Sequence, residues 1–183
     1  GYGKPWANSS NTPFRMYKHW VHEGGISTPL IVHWPDGIEA KNEFRHQPGH
    51  LIDIMATCID VARASYPESY KGNSITPLEG VSLVPAFSNQ PLNREAIYWE
   101  HEGNRAVSRS NWKLVSNAGN SHQFEKIDTL TLDQWSLYDL EKDRTELNDL
   151  SSEKPELKQK LIDLWMKWAK KTGTIPRPVK KAS

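Results

Sequence analysis

Residues 95–117, "EAIYWEHEGNRAVSRSNWKLVSN", decide how the second half of the chain folds. Short runs alternate apolar with polar residues, and Gly, Asn and Ser separate them. Period-two alternation puts one set of side chains on each face of a strand, and the punctuating residues suit tight reversals. "EAIYWEH", "RAVSR" and "WKLVSN" therefore read as three strands, and "WSLYDL" at 135–140 supplies a fourth. The expectation is a four-stranded antiparallel sheet with one face buried.

Beyond the fourth strand the period changes. In "EKDRTELNDLSSEKPELKQKLIDLWMKWAKKTG", Leu157, Leu161, Leu164, Trp165 and Trp168 recur at helical spacing, with Pro155 in the first turn. Gly173 and Pro176 end the helix, and the sheet is the surface its apolar stripe should cover. The basic tail "RPVKKAS" reads as frayed.

Upstream, "PLIVHW" at 29–34 is a β-branched run between Pro29 and the turn "PDG", expected as a buried strand. From Pro48 to about Ala64, Leu51, Ile54, Met55, Cys58 and Ala62 form one helical stripe. Strand followed by helix is the start of an α/β layer. Cys58, the single cysteine, falls on that stripe and is expected to be a buried, inert thiol. Residues 66–94 are rich in turn formers, with "PLEGVSLVPAF" as their apolar patch. The chain thus divides into 1–94, an α/β portion, and 95–183, a small α+β subdomain.

The bulk numbers narrow the function. The 183 residues are 37% hydrophobic and 25% charged, an ordinary composition for a folded domain. Twenty-three basic against 22 acidic residues give a net charge of +1, too little to draw a nucleic acid backbone or an anionic membrane. The strongest apolar stretch, "GISTPLIVHWP", is too short to span a bilayer, and no charged-then-apolar leader opens the sequence. The chain starts at Gly1 rather than Met, so it reads as a processed, engineered or partial product, and missing upstream residues enter the expectation. Eight tryptophans are several times a typical share of roughly one per cent. Such aromatics fill a core or face a sugar.

Two polar clusters carry candidate chemistry. In "YKHWVHEGG", Lys18 precedes His22 by four residues and Glu23 by five, and Gly24-Gly25 allow a sharp bend. An ammonium fixed beside such a bend can neutralise an anionic oxygen, although a lysine there is also an ordinary solvated side chain. His19 and His22 invite a metal reading, but the order is H-x-x-H-E with Gly-Gly directly after, unlike the helical zinc motifs. The second cluster, "EHEGNRAV", gathers Glu100, His101, Glu102, Asn104 and Arg105 at a strand end, which on its own also reads as a charged hairpin tip.

Taken in series, "NTPFRMYKHWVHEGGISTPLIVHWPDGI", "GHLIDIMATCIDVA", "LEGVSLVPAF", "YWEHEGNRAVSRSNWKLV" and "WSLYDLEKDRTELNDLS" resemble the C-terminal part of a type I sulfatase. This is the arylsulfatase kind within the alkaline-phosphatase-like superfamily. The resemblance implies an α/β fold: the end of an alkaline-phosphatase-like domain, then a four-stranded antiparallel sheet against a long helix. It implies hydrolysis of sulfate monoesters by a formylglycine nucleophile beside a divalent cation, usually calcium. Both would be carried by upstream residues, since Cys58 is followed by Ile-Asp-Val rather than by x-Pro-x-Arg.

The family's K-x-x-x-x-E-G-G lysine maps onto Lys18, with Glu23, Gly24 and Gly25 in register. Its implied role is contact with the sulfate oxygens and the leaving oxygen. His101 and Asn104 match a loop that approaches the active-site mouth, which implies substrate contact. No metal ligand is implied within the chain. The implied partner is a missing N-terminal half, without which the chain would be inactive, and a periplasmic or secreted location agrees with the family. A free-standing carbohydrate-binding module, or a scaffold without catalysis, is the competing expectation. It would close its own core and present two or more tryptophans on a concave face, whereas a fragment would leave residues 29–64 with a large exposed apolar patch.

Overall fold

The computed structural model describes residues 3–116 and 135–175, which form two compact units. Unit 1 comprises residues 1–29 and 96–183, and unit 2 comprises residues 30–95.

Unit 1 begins with helix α1 (Gly3–Ser10), followed by a loop and the single turn α2 (Glu23–Ile26). Its sheet has four antiparallel strands, β3 (Ile97–His101), β4 (Asn104–Arg109), β5 (Trp112–Ser116) and β6 (Trp135–Asp139), lying side by side in chain order. The four alternating segments of the sequence are these four strands. Helix α5 (Pro155–Lys171) comes next, and the chain leaves it through Gly173 at φ 68°, a left-handed conformation that glycine adopts at little cost. Residues 117–134 and 176–183, including Pro176 and the basic tail, lie outside the described residues.

Register assigns the two faces. Val107, Leu114 and Leu137 lie opposite one another across β4, β5 and β6. They pack with Trp135 against Leu161, Ile162, Trp165 and Ala169 of α5. Tyr98 on the same face stacks on Trp168, with centroids 5.1 Å apart and planes 3° from parallel. The other face holds Ala106 opposite Val115, with Lys113 opposite both Ser108 and Tyr138. It is buried as well, because Val21 and Ile26 pack on Ala106, Val115 and Tyr138. The sheet is thus covered on both sides, where alternation alone leads to one wet face. The short residues Ala106 and Ser108 leave room for the second cover.

Unit 2 contains helix α3 (Asp53–Val61), a two-residue hairpin of β1 (Ser69–Tyr70) and β2 (Asn73–Ser74), and the turn α4 (Val84–Phe87). Only Asp53, Leu83 and Ala86 are buried among its residues. A polar hub replaces an apolar core. The Asp53 carboxylate accepts the His50 N–H at 2.7 Å and the Val81 N–H at 3.0 Å, and pairs with Arg94. Thr57 Oγ1 accepts the Leu83 N–H at 2.9 Å.

The stripe read from the sequence faces outward instead. Leu51 is 79% exposed and Met55 56%, and Cys58 is exposed too, so it is not the buried thiol expected. Residues 29–34 form no strand, and Ile31 is 89% exposed. A strand exists only through a neighbour's backbone, and no described segment pairs with this one. No described helix is long and apolar enough to cross a membrane.

Candidate functional site

The loop 14–22 reaches its place by close backbone packing. A Cβ on Gly24 would lie 2.3 Å from the carbonyl oxygens of Arg15 and Met16, and one on Gly25 would lie 2.0 Å from the Trp20 carbonyl oxygen. Neither glycine has positive φ. The pair is therefore required for space, not for the unusual dihedrals suggested by the sequence. The Gly24 N–H donates to the Arg15 carbonyl at 2.9 Å and closes the loop on itself.

Beneath the loop lies a charge network. Lys113 on β5 is fully buried, and its Nζ sits 2.9 Å from Glu23 Oε1 and 2.9 Å from Glu146 Oε1. Arg144 donates to Glu23 Oε2 at 3.1 Å, and the Glu23 N–H donates to Glu146 Oε2 at 2.7 Å. The Arg15 guanidinium donates to the Glu146 carbonyl at 2.7 Å. Burial pushes both carboxyls up, but with different outcomes. At Glu23 the Lys113 and Arg144 cations outweigh burial and hold it below the ordinary range. At Glu146 burial prevails over Lys113, and the carboxyl stays above it.

His22, 3% exposed and 6.3 Å ring to ring from Tyr138, is driven down to about 3 by burial and by the Arg15 and Lys113 charges. It is a neutral ring inside the fold, and its Nδ1 has no partner among the described residues. His19, by contrast, is exposed, so the two histidines of H-x-x-H cannot share a metal from one face.

The loop is pinned to the tip of the β3–β4 hairpin. Glu102 and Gly103, at φ 53° and 87°, form the two-residue turn that keeps a hairpin's strands in register. His101 and Asn104 face each other across it, on the sheet face that the loop covers. The Asn104 Nδ2 donates to the His19 carbonyl at 2.8 Å, holding His19 at φ 83°. His19 Nδ1 pairs with Glu102 Oε2, His101 Nε2 lies 3.9 Å from the same oxygen, and the two imidazole centroids are 5.7 Å apart.

The structure thereby brings two of the sequence-derived site residues, His101 and Asn104, to the loop that carries the third, Lys18. Lys18 is exposed and forms no ion pair with the described residues. Asn104 is 6% exposed with one amide hydrogen committed to the loop. Lys113 and Glu146 were not visible as site residues, because a lysine in an alternating strand reads as solvent-facing. The signal available was Glu23, a carboxylate beside Gly-Gly in need of a cation.

Neither group implied by the family fits the residues described. Calcium takes six to eight oxygen ligands, whereas the His19, His101 and Glu102 group offers two nitrogens and one carboxylate. Cys58 stands on exposed α3 without the neighbours of a formylglycine precursor.

Similarity to known proteins bears on this arrangement. An uncharacterized sulfatase of Schizosaccharomyces pombe is 28% identical over 97% of this chain and 31% of its own length. Arylsulfatase K of Danio rerio is 28% identical over 82% of the chain and 27% of its own. N-acetylgalactosamine-6-sulfatase of Mus musculus is 29% identical over 60% and 20%. The chain spans about a third or less of these relatives' length. The crystal structure of Ps i-CgsB superposes on 87% of the chain with a TM-score of 0.67 at 24% identity, covering 32% of that chain, and this likeness shows the fold. Over residues 14–171 the sequence matches the family described as N-sulphoglucosamine sulphohydrolase, C-terminal. The chain belongs to that family and is a sulfatase C-terminal region.

Proposed function

We propose that this chain supplies one wall of the active site of a sulfuric ester hydrolase, and that the formylglycine nucleophile and the calcium seat belong to the part of the protein preceding Gly1. Lys18 is the catalytic residue of this wall. A sulfate ester spreads negative charge over several oxygens as its S–O bond breaks, and a fixed ammonium lowers the energy of that charge. His101 contacts the substrate from the hairpin tip, and Asn104 seats the loop through the His19 carbonyl. Residues 1–94 end the catalytic α/β domain, and residues 95–183 form the C-terminal subdomain. The exposed apolar side of unit 2, with Leu30, Ile31, Leu51 and Met55, is where the preceding part packs.

The observation that carries this reading is the anchored loop. Asn104 and Glu102 hold the residue next to Lys18 from one side, and Gly24 and Gly25 hold the loop from the other. Placement of this kind is what electrostatic catalysis needs. The tryptophans argue against a sugar-stacking module, since only Trp6 is exposed and the other seven are buried or half-buried.

The test is hydrolysis of a chromogenic aryl sulfate by the whole protein. Lys18→Ala should lower kcat by about 10²- to 10³-fold, the cost of removing one fixed charge-stabilising group. The 183-residue chain alone should give no turnover. Full activity in Lys18→Ala, or turnover by the isolated chain, would overturn the assignment.

A further inference from the structure

We infer that His19, His101 and Glu102 form a binding site for a divalent transition metal of the zinc type, separate from the calcium chemistry of the family. The three donor atoms, one from each side chain, lie within 4.8 Å of one another. Two imidazoles and one carboxylate are the donor set that zinc takes with an open fourth position, and they are poor ligands for calcium or magnesium. Ligands at about 2.0–2.1 Å from a tetrahedral zinc stand about 3.3 Å apart. The 3.9 Å from His101 Nε2 to Glu102 Oε2 therefore needs only a small side-chain adjustment.

The backbone that carries the donors is also held in place before any ion arrives. Asn104 locks the His19 carbonyl, and Glu102 occupies the left-handed first position of the hairpin turn. The Gly103 N–H donates to Glu100 Oε1 at 2.8 Å and stiffens the same turn. His101 is opposite Asn104 in the ladder, so all three donors rest on one hydrogen-bonded frame. The sequence spacing conceals the group, since its members come from positions 19, 101 and 102. On binding, the metal takes the lone pair of His19 Nδ1, the ring hydrogen resides on Nε2, and the direct contact of Nδ1 with Glu102 Oε2 gives way to a metal ion that both atoms share.

The experiment is titration of Co²⁺ into the 183-residue chain at pH 7.5, followed by visible absorption, with Zn²⁺ as competitor. One equivalent of Co²⁺ should give the intense bands of a four- or five-coordinate ion, and Zn²⁺ should displace it. His19→Ala, His101→Ala and Glu102→Gln should each weaken binding at least about tenfold. All three side chains are a third or more exposed, and tryptophan fluorescence reports whether each variant keeps its fold. Absence of saturable binding overturns the inference, as does a loss smaller than tenfold in either histidine variant, which would place the ion elsewhere on the chain. Because this readout is metal affinity and not turnover, it can fail while the role of Lys18 stands, and the converse holds.

Discussion

His22 makes the fold of unit 1 acid-sensitive in a way that can be calculated. In the folded chain its imidazole titrates at about 3, against 6.5 for an unburied ring. Its folded pKa is depressed, so the unfolded chain takes up a proton first as pH falls. Stability should therefore be unaffected above pH 6.5, decline below it, and stop declining once the folded ring also protonates near 3. Each pH unit inside that window is worth about 1.4 kcal/mol. From pH 7.5 to 5 the ring accounts for a loss of about 2 kcal/mol, a large share of a small domain's stability.

The perturbation is His22→Phe, which keeps an aromatic ring beside Tyr138 and removes the titrating imidazole, whose Nδ1 has no hydrogen-bond partner among the described residues. The assay is urea unfolding at pH 7.5 and pH 5, followed by the fluorescence of the buried Trp135 and Trp165. The wild-type chain should lose about 2 kcal/mol more than the variant over this interval. Other titrating groups contribute to both chains and cancel in the difference. Equal losses in the two chains would refute the placement of His22 as a buried neutral ring.

Two further substitutions probe the ground beneath the loop. Lys113→Met leaves Glu23 and Glu146 facing each other without their shared ammonium and should cost about 3–5 kcal/mol in urea unfolding; adding Glu146→Gln should recover part of that loss. Gly24→Ala sets a methyl group against the Arg15 and Met16 carbonyls and should cost at least about 1–3 kcal/mol, with kcat of the whole protein falling alongside because the Lys18 loop must shift.

The sequence was most informative where the pattern was local. The four strands and α5 followed from periods of two and 3.6, and the proximity of the Gly-Gly bend to Lys18 followed from adjacency. Unit 2 shows what periodicity leaves out. The stripe of Leu51, Ile54, Met55 and Cys58 is real, but a stripe says only that a face is apolar and not which part of a protein covers it. The run at 30–34 has strand composition and no backbone neighbour among the described residues. The Lys113 network was hidden for a different reason. Its members come from positions 23, 113, 144 and 146, and a charge becomes buried only when a distant segment brings its counterpart. In the hairpin, "EHEG" announced a turn, but only the fold set His19 beside it.

The cover over the inner sheet face comes from residues near Val21, while its last strand ends at Asp139. During synthesis the early segment must wait for more than a hundred further residues to leave the ribosome, several seconds or longer at about 5–20 residues per second. Until then Val21, His22 and Glu23 have no seat, and the side chains that the finished fold buries stay open to water.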